Sequence, residues 1–286
     1  MLKEEHGTLF ATLVTQVTLP ALIFDALAHS SFEWEYIRLF VYLFLSEIFL
    51  LLFAWGVGKG LKLTAQQMGS FLLVSTFGSS ALLGYALIEA LYPQNFSALT
   101  EGAFISELGV GLPLFTIGVM IMMHYGQKRQ TLKYSFQYAL HFFKSPLFIA
   151  IVLGLLWSFS PLKTEKIFTA PLFDAIHIIA KANTFLVALT VGVLLNFTSL
   201  HHILGITLAT VAIKLFLSPL LLYFPAHFLS LESWQLQVLL LESAMPSAML
   251  SVVLAKQYGC DAKLAAQLVF ITLIVSTVTV SFMIHL

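Results

Sequence analysis

The chain has 286 residues, of which 59% are hydrophobic and only 10% charged, with a formal net charge of zero. A soluble domain carries about 25% charged residues, so these numbers exclude a soluble globular protein and give no basic surface for nucleic acid. One cysteine, Cys260, excludes an intramolecular disulfide and reads as an ordinary small residue in a short loop.

Apolar runs predict nine spans: Thr8–Ala28, Glu35–Gly58, Ala65–Tyr92, Leu99–His124, Phe142–Phe159, Pro171–Asn196, Ile203–Phe224, Trp234–Gln257 and Ala262–His285. Thr131–Phe143 mixes aromatic residues with Lys133 and reads as an interfacial lead-in. No secretory signal, soluble domain or low-complexity linker is legible. The fold class expected is an all-α membrane protein with no enzyme motif and no cofactor.

The eighth span is the odd one. Glu242, Ser243, Met245, Pro246 and Ser247 interrupt it near its middle. Proline removes a backbone donor and clashes with the preceding turn, so the helix breaks there. Freed backbone groups at membrane depth need protein or a watery cavity to receive them. A similar stretch lies in the third span: Ser80-Ala81-Leu82-Leu83 aligns with Ser247-Ala248-Met249-Leu250 at an offset of 167 residues. Gly78 and Pro246 are the break signals just upstream of each. The two spans run in opposite directions, which is an inverted repeat. The halves divide as residues 1–130 with four helices and residues 131–286 with five, so a five-plus-five pattern would lack its first helix.

Ionisable residues inside spans are costly and face a cavity or partner. Glu47, Lys181, Lys214 and Glu242 are such residues. Lys214 and Glu242 fall at similar depth on consecutive spans, as a static pair or as an ion-coupling site. Glu47 has no partner visible in the sequence. Asp25, Glu89, Glu107 and Asp174 read as rim residues. The hydroxyls of Ser75, Thr76, Ser79 and Ser80 around Gly78, and Asn183-Thr184 on the sixth span, are candidates either for packing or for ligand contact.

Several segments together resemble the auxin efflux carrier family, within the larger superfamily of bile-acid sodium symporters. They are Leu19-Pro20-Ala21-Leu22-Ile23-Phe24, Gly78-Ser79-Ser80-Ala81-Leu82-Leu83-Gly84, Phe115-Thr116-Ile117-Gly118, Lys144-Ser145-Pro146-Leu147, and Lys214-Leu215 with Pro219. The best match is Ala244-Met245-Pro246-Ser247-Ala248 followed by Tyr258-Gly259 and Asp261. The resemblance implies a secondary carrier of small organic anions in a bacterial cytoplasmic membrane. It implies two broken helices that cross at the substrate, with a mobile core moving against a panel. Substrate contacts are then expected at Gly78, Ser79, Ser80, Gly84, Asn183, Met245, Pro246 and Ser247, and proton or sodium coupling at Glu242 and Lys214. The partners expected are the anion, the lipid bilayer and a second copy in a homodimer. Ser79 stands where the family has asparagine and Ala86 where it has proline, which predicts a softer first break. The alternatives are a sodium-coupled symporter of amphipathic anions and a non-transporting sensor or remnant.

Lysine and arginine set the orientation. Eight of them (Lys3, Lys59, Lys62, Lys128, Arg129, Lys133, Lys256 and Lys263) collect on one side, and three (Arg38, Lys163 and Lys166) on the other. The richer side is cytoplasmic. A phosphatase fused to the C-terminus is therefore expected to be active outside the cell, and a fluorescent protein fused there to stay dark; the reverse pattern refutes nine spans.

Overall fold

The computed structural model describes residues 4–29, 36–95, 98, 101–102, 105–126, 144, 146–160, 169–194, 203–226 and 231–284. The interfacial lead-in at Thr131–Phe143 lies outside them. Among the described residues every regular element is helical, and the one β-type pairing is an isolated bridge.

Helix α1 joins Glu4–Leu13, a π turn at Val14–Thr18, and Leu19–His29. Tyr36–Gly60 is α2. The third span divides into α3a, Ala65–Thr76, and α3b, which is a π turn at Ser80–Gly84 continued by Tyr85–Leu91. Helix α4 runs through π turns at Ser106–Gly111 and Leu114–Gly118 into Val119–Tyr125. Pro146–Ser158 is α5 and Ala170–Leu194 is α6. Helix α7 comprises Leu204–Val211, a π turn at Ala212–Leu217 that carries Lys214, and Ser218–Ala226. The eighth span divides into α8a, Ser233–Ala244, and α8b, Leu250–Tyr258, and Ala262–Met283 is α9.

Among the described residues, five helices are long and apolar enough to cross a bilayer: Ile37–Gly60, Leu108–Tyr125, Ala170–Thr190, Leu204–Phe224 and Ala262–Met283. Their outer faces are apolar and bare, with Ile178 70% and Val278 73% exposed. Water would penalise that surface, whereas hydrocarbon accepts it. The inside is reserved for the two broken spans: residues 71–80 and 238–248 are buried without interruption.

The two inner helices α3a and α8a are built alike. Each is twelve residues long and opens on a capping box. In the first, Thr64 Oγ1 accepts from Gln67 N and Gln67 Oε1 accepts from Thr64 N. In the second, Gln235 Oε1 accepts from Glu232 N at 3.0 Å. Such boxes satisfy donors that a helix start leaves open. Both helices then stop in extended backbone, at Phe77 with ψ 133° and at Met245 with ψ 143°. Pro246 explains the second stop, because the residue before proline is pushed out of the helical region. The softer first break expected from Ser79 and Ala86 is not found. Bonds from the other broken span, described below, hold Phe77 and Ser79 in place of a proline.

The C-terminal end of the eighth span is tied to the third. Gly259 closes α8b at φ 77°, a left-handed conformation that suits glycine. Asp261 caps α9 through Leu264 N, and its own N–H donates to Gln66 O. Burial and the Asp261 charge push the neighbouring Cys260 thiol up to about 12, which makes it a poor nucleophile. Ser70 completes the knot. Its side chain is fully buried and its Oγ donates to Asp261 O at 2.8 Å. Its place toward one end of the third span predicts that leucine is tolerated there, but Ser70 has no room for one. Ser70→Leu is expected to cost about 1–3 kcal/mol by overpacking, and Ser70→Ala about 1 kcal/mol. Melting midpoints in detergent check this order; equal midpoints for Ser70→Leu and wild type would refute it.

Candidate functional site

The two extended breaks lie across each other as antiparallel strands. Gly78 and Ser247 form the bridge; Ser79 N donates to Pro246 O at 2.7 Å, and Ala248 N to Phe77 O at 2.8 Å. Backbone groups that leave a helix in hydrocarbon must be satisfied by protein. Here each broken span satisfies the other. Ser247 N also donates to Thr272 Oγ1 on α9 at 3.3 Å.

Beside the crossing opens a cleft of about 500 Å³, mouth included. Its floor is Gly78, Ser79 and Ser80 from the first break and Ala248, Met249 and Leu250 from the second. Its walls are Leu19, Leu22 and Ile23 of α1 and Ser106, Val110, Gly111, Leu114 and Phe115 of α4. The starts of both outer half-helices, at Ser80 and Leu250, therefore border it. Helix starts present open N–H groups and partial positive charge. The hydroxyls of Ser79, Ser80 and Ser247 are buried and have no hydrogen-bond partner among the described residues. Native proteins rarely leave such groups unmatched without a reason.

The other expected site residues separate from this cleft. Met245 and Pro246 are buried in the second strand of the crossing. Asn183, fully buried on α6, receives a hydrogen bond from Thr18 Oγ1 at 2.9 Å. Gly84 faces the Glu242 carboxylate, since a Cβ there would stand 2.6 Å from Oε1. Gly102 lies against the same carboxylate, with the corresponding distance 3.8 Å. Glu242 thus occupies a slot between two glycines.

Lys214 lies on the π turn of α7, 1% exposed, with Nζ 3.1 Å from where a Cβ of Gly78 would be. It donates to Ser243 O at 3.3 Å, and Ser218 Oγ donates to the same carbonyl at 3.0 Å. A cation at the last turn of a helix is favourable. Both Glu47 and Glu242 act on this ammonium electrostatically. Glu47, which has no partner visible in the sequence, is buried in the fold, and its Oε2 has no hydrogen-bond partner among the described residues. Lys181, expected to face a cavity, is exposed on α6 instead.

Three features escape the sequence. Asp25 is buried between two histidines, with His177 Nδ1 2.8 Å from Oδ2 and His29 Nδ1 3.2 Å from Oδ1. The Asp25–His29 spacing of four was legible, but His177 is 152 residues away. The π turns were not legible either, and they fall at Thr18, Ser80, Ser106, Phe115 and Lys214, on or beside the crossing. Wide turns of this kind gather at functional sites. Ser106 itself, a cleft residue, carries no sequence signal. Among the described residues no group of three His, Cys, Asp or Glu side chains is arranged to hold a metal ion.

Residues 1–284 match the family described as membrane transport protein, which includes the auxin efflux carriers. An uncharacterized transporter of Methanocaldococcus jannaschii is 26% identical over 278 residues, covering 95% of this chain and 87% of the relative. An uncharacterized transporter of Methanothermobacter thermautotrophicus is 23% identical over 284 residues, covering 98% and 88%. The chain therefore belongs to the membrane transport protein family: it is a multi-pass membrane transporter and not an enzyme.

Proposed function

We propose that the protein is a secondary-active carrier of small organic anions that binds a carboxylate-bearing substrate in the cleft beside the crossing. One observation carries the reading. Two helix starts and two unmatched buried hydroxyls, Ser79 and Ser80, meet at the floor of a cleft whose walls are apolar apart from Ser106. Backbone donors at a helix start favour an anion, and the leucine, isoleucine and phenylalanine walls favour an apolar body. This supports an amphipathic monoanion over a compact dianion, which would want a second polar anchor.

In this reading the two halves are inverted repeats, and α1, α5 and α6 form the panel against which the remaining helices move. Alternating access places the crossing toward one side of the bacterial inner membrane and then the other, with a cytoplasmic N-terminus. Met245, Pro246 and Ser247 hold the floor from below. Asn183 sits on the panel side, bonded to Thr18 next to the cleft wall. Gly84 acts by giving the Glu242 carboxylate room. Without a nucleotide-binding motif the energy comes from a gradient. Glu242, inside the membrane and electrostatically linked to Lys214, is the group we assign to a coupling proton or sodium ion.

Uptake by proteoliposomes tests the reading, with a panel of radiolabelled monocarboxylates and dicarboxylates under a set pH or sodium gradient. Accumulation of none of them refutes it. Ser80→Leu is expected to abolish uptake with normal expression, whereas Val278→Leu, on the lipid face of α9, is expected to leave it within about twofold because exposed positions rarely matter by more than about 0.5 kcal/mol. Equal uptake by the two variants would show that Ser80 only packs.

Glu242→Gln keeps shape and hydrogen bonding but cannot carry charge. It is expected to slow accumulation against a gradient by about tenfold or more, as loss of a group that must change charge does, while substrate exchange persists. Full accumulation by a well-folded Glu242→Gln protein removes Glu242 from the coupling.

A further inference from the structure

Gln235 bonds in two directions, and only one of them belongs to the helix cap. Its Oε1 accepts from Glu232 N at 3.0 Å, which closes the capping box of α8a. Its Nε2 donates to Glu101 Oε2 at 2.9 Å, and Glu101 is fully buried. A side-chain amide can accept at one end and donate at the other, which an ionised carboxylate cannot. The twin box lacks this second bond. Among the described residues the Gln67 side chain bonds only within its own box.

The residue after Glu101 is Gly102, one of the two glycines that border the Glu242 carboxylate. Three segments meet at Gly102. A Cβ there would stand 2.5 Å from Ile88 Cδ1 of α3b, 3.6 Å from Val238 Cγ1 of α8a and 3.8 Å from Glu242 Oε1. Gln235, Val238 and Glu242 are spaced by three and four residues, so they share one face of α8a. Glu101 and Gly102 lie along that face, bonded to Gln235 at one end and bordering the Glu242 slot at the other. Ile88 and Val238, both fully buried, fill the space between. The other wall is tied down in a similar way. Helix α3b, which carries Gly84, is followed by Tyr92, whose hydroxyl donates to Gln237 Oε1. Gln237 Nε2 donates in turn to Ile284 O at 2.9 Å. Each wall of the slot is thus fastened to the start of the helix that bears Glu242, and each fastening uses a glutamine.

We infer that Gln235 is a positioning residue for Glu242: by holding Glu101 it keeps Gly102 against the carboxylate and the slot closed. Glu242 then changes charge only together with movement of the crossing. Gln237 does the same for the Gly84 wall through Tyr92. The inference rests on the coupling role given to Glu242 above. A cap alone requires nothing of this kind, since glutamate at that position closes a capping box as well as glutamine does.

Gln235→Glu separates the two roles. It keeps the box, loses the donor and sets a second carboxylate against Glu101. Gln67→Glu makes the same change in the twin box. Both are compared in the full chain with wild type and with the double E101Q/Q235E, in which the donor returns from the other side. One readout needs no cargo: the rate at which a water-soluble carbodiimide modifies Glu242 in detergent, located by peptide mass spectrometry with Glu242→Gln as background. Gln235→Glu is expected to raise that rate about tenfold, the scale of a lost hydrogen bond to a charged group. Gln67→Glu and the double are expected to stay near wild type. In proteoliposomes Gln235→Glu is expected to lower accumulation while exchange persists, whereas simple destabilisation would lower both. If Gln235→Glu gives no monodisperse protein, Gln235→Met against Gln67→Met makes the same comparison. Equal modification of Glu242 in the paired variants overturns the inference, as does a double no better than Gln235→Glu. A wild-type protein inert in the flux assay would instead sink the carrier reading, and the modification rates would still decide whether Gln235 positions Glu242.

Discussion

Two short lengths of unwound backbone, Phe77–Ser79 and Met245–Ala248, bond each other in the middle of the molecule, and the rest of the fold exists to make that contact possible. A polar backbone group without a partner in hydrocarbon costs several kcal/mol. Neither break is tolerable alone. Each is stable because the other runs antiparallel across it. The uninterrupted burial of residues 71–80 and 238–248 follows, as do the matched twelve-residue approach helices with their capping boxes. The remaining helices insulate the crossing from lipid, and the cleft opens where α1 and α4 stand away from it.

Charge is handled by the same economy of neighbours. Lys214 reaches a helix end and lies within the field of Glu47 and Glu242. Glu242 rests where two glycines leave a carboxylate-sized gap. Asp25 is held between imidazoles from two helices. In each case the ion is placed by what adjacent helices lack, a side chain at Gly84 or Gly78, as much as by what they supply.

How much of this was legible depends on range. Composition announced the membrane, and Pro246 announced the second break by local sterics alone. Gly78 marked the first break, but its sharpness was misjudged, because what extends Phe77 is a carbonyl-to-amide bond to Ala248, far away in sequence. Ser80 and Ser247 were visible as an echo between halves. Ser106, Ser70 and His177 were not, since each owes its role to a partner on another helix. The wide turns were equally hidden: one extra residue in a helical turn leaves no mark on a hydrophobic pattern. Glycines were visible as residues but not as absences, and the gap at Gly84 that receives Glu242 leaves no mark in the sequence.

The crossing is written almost wholly in main-chain bonds, and a main-chain bond is nearly blind to the side chain it carries. The chemistry facing the cleft is different, since its walls are mostly ordinary apolar side chains such as Leu22, Val110 and Leu114. In the proposed carrier, architecture and selectivity are thus encoded in separate letters of the same segments. Drift can reshape the walls one methyl group at a time while the bridge beneath them persists, so a family built this way can diversify its cargo without reinventing its machine.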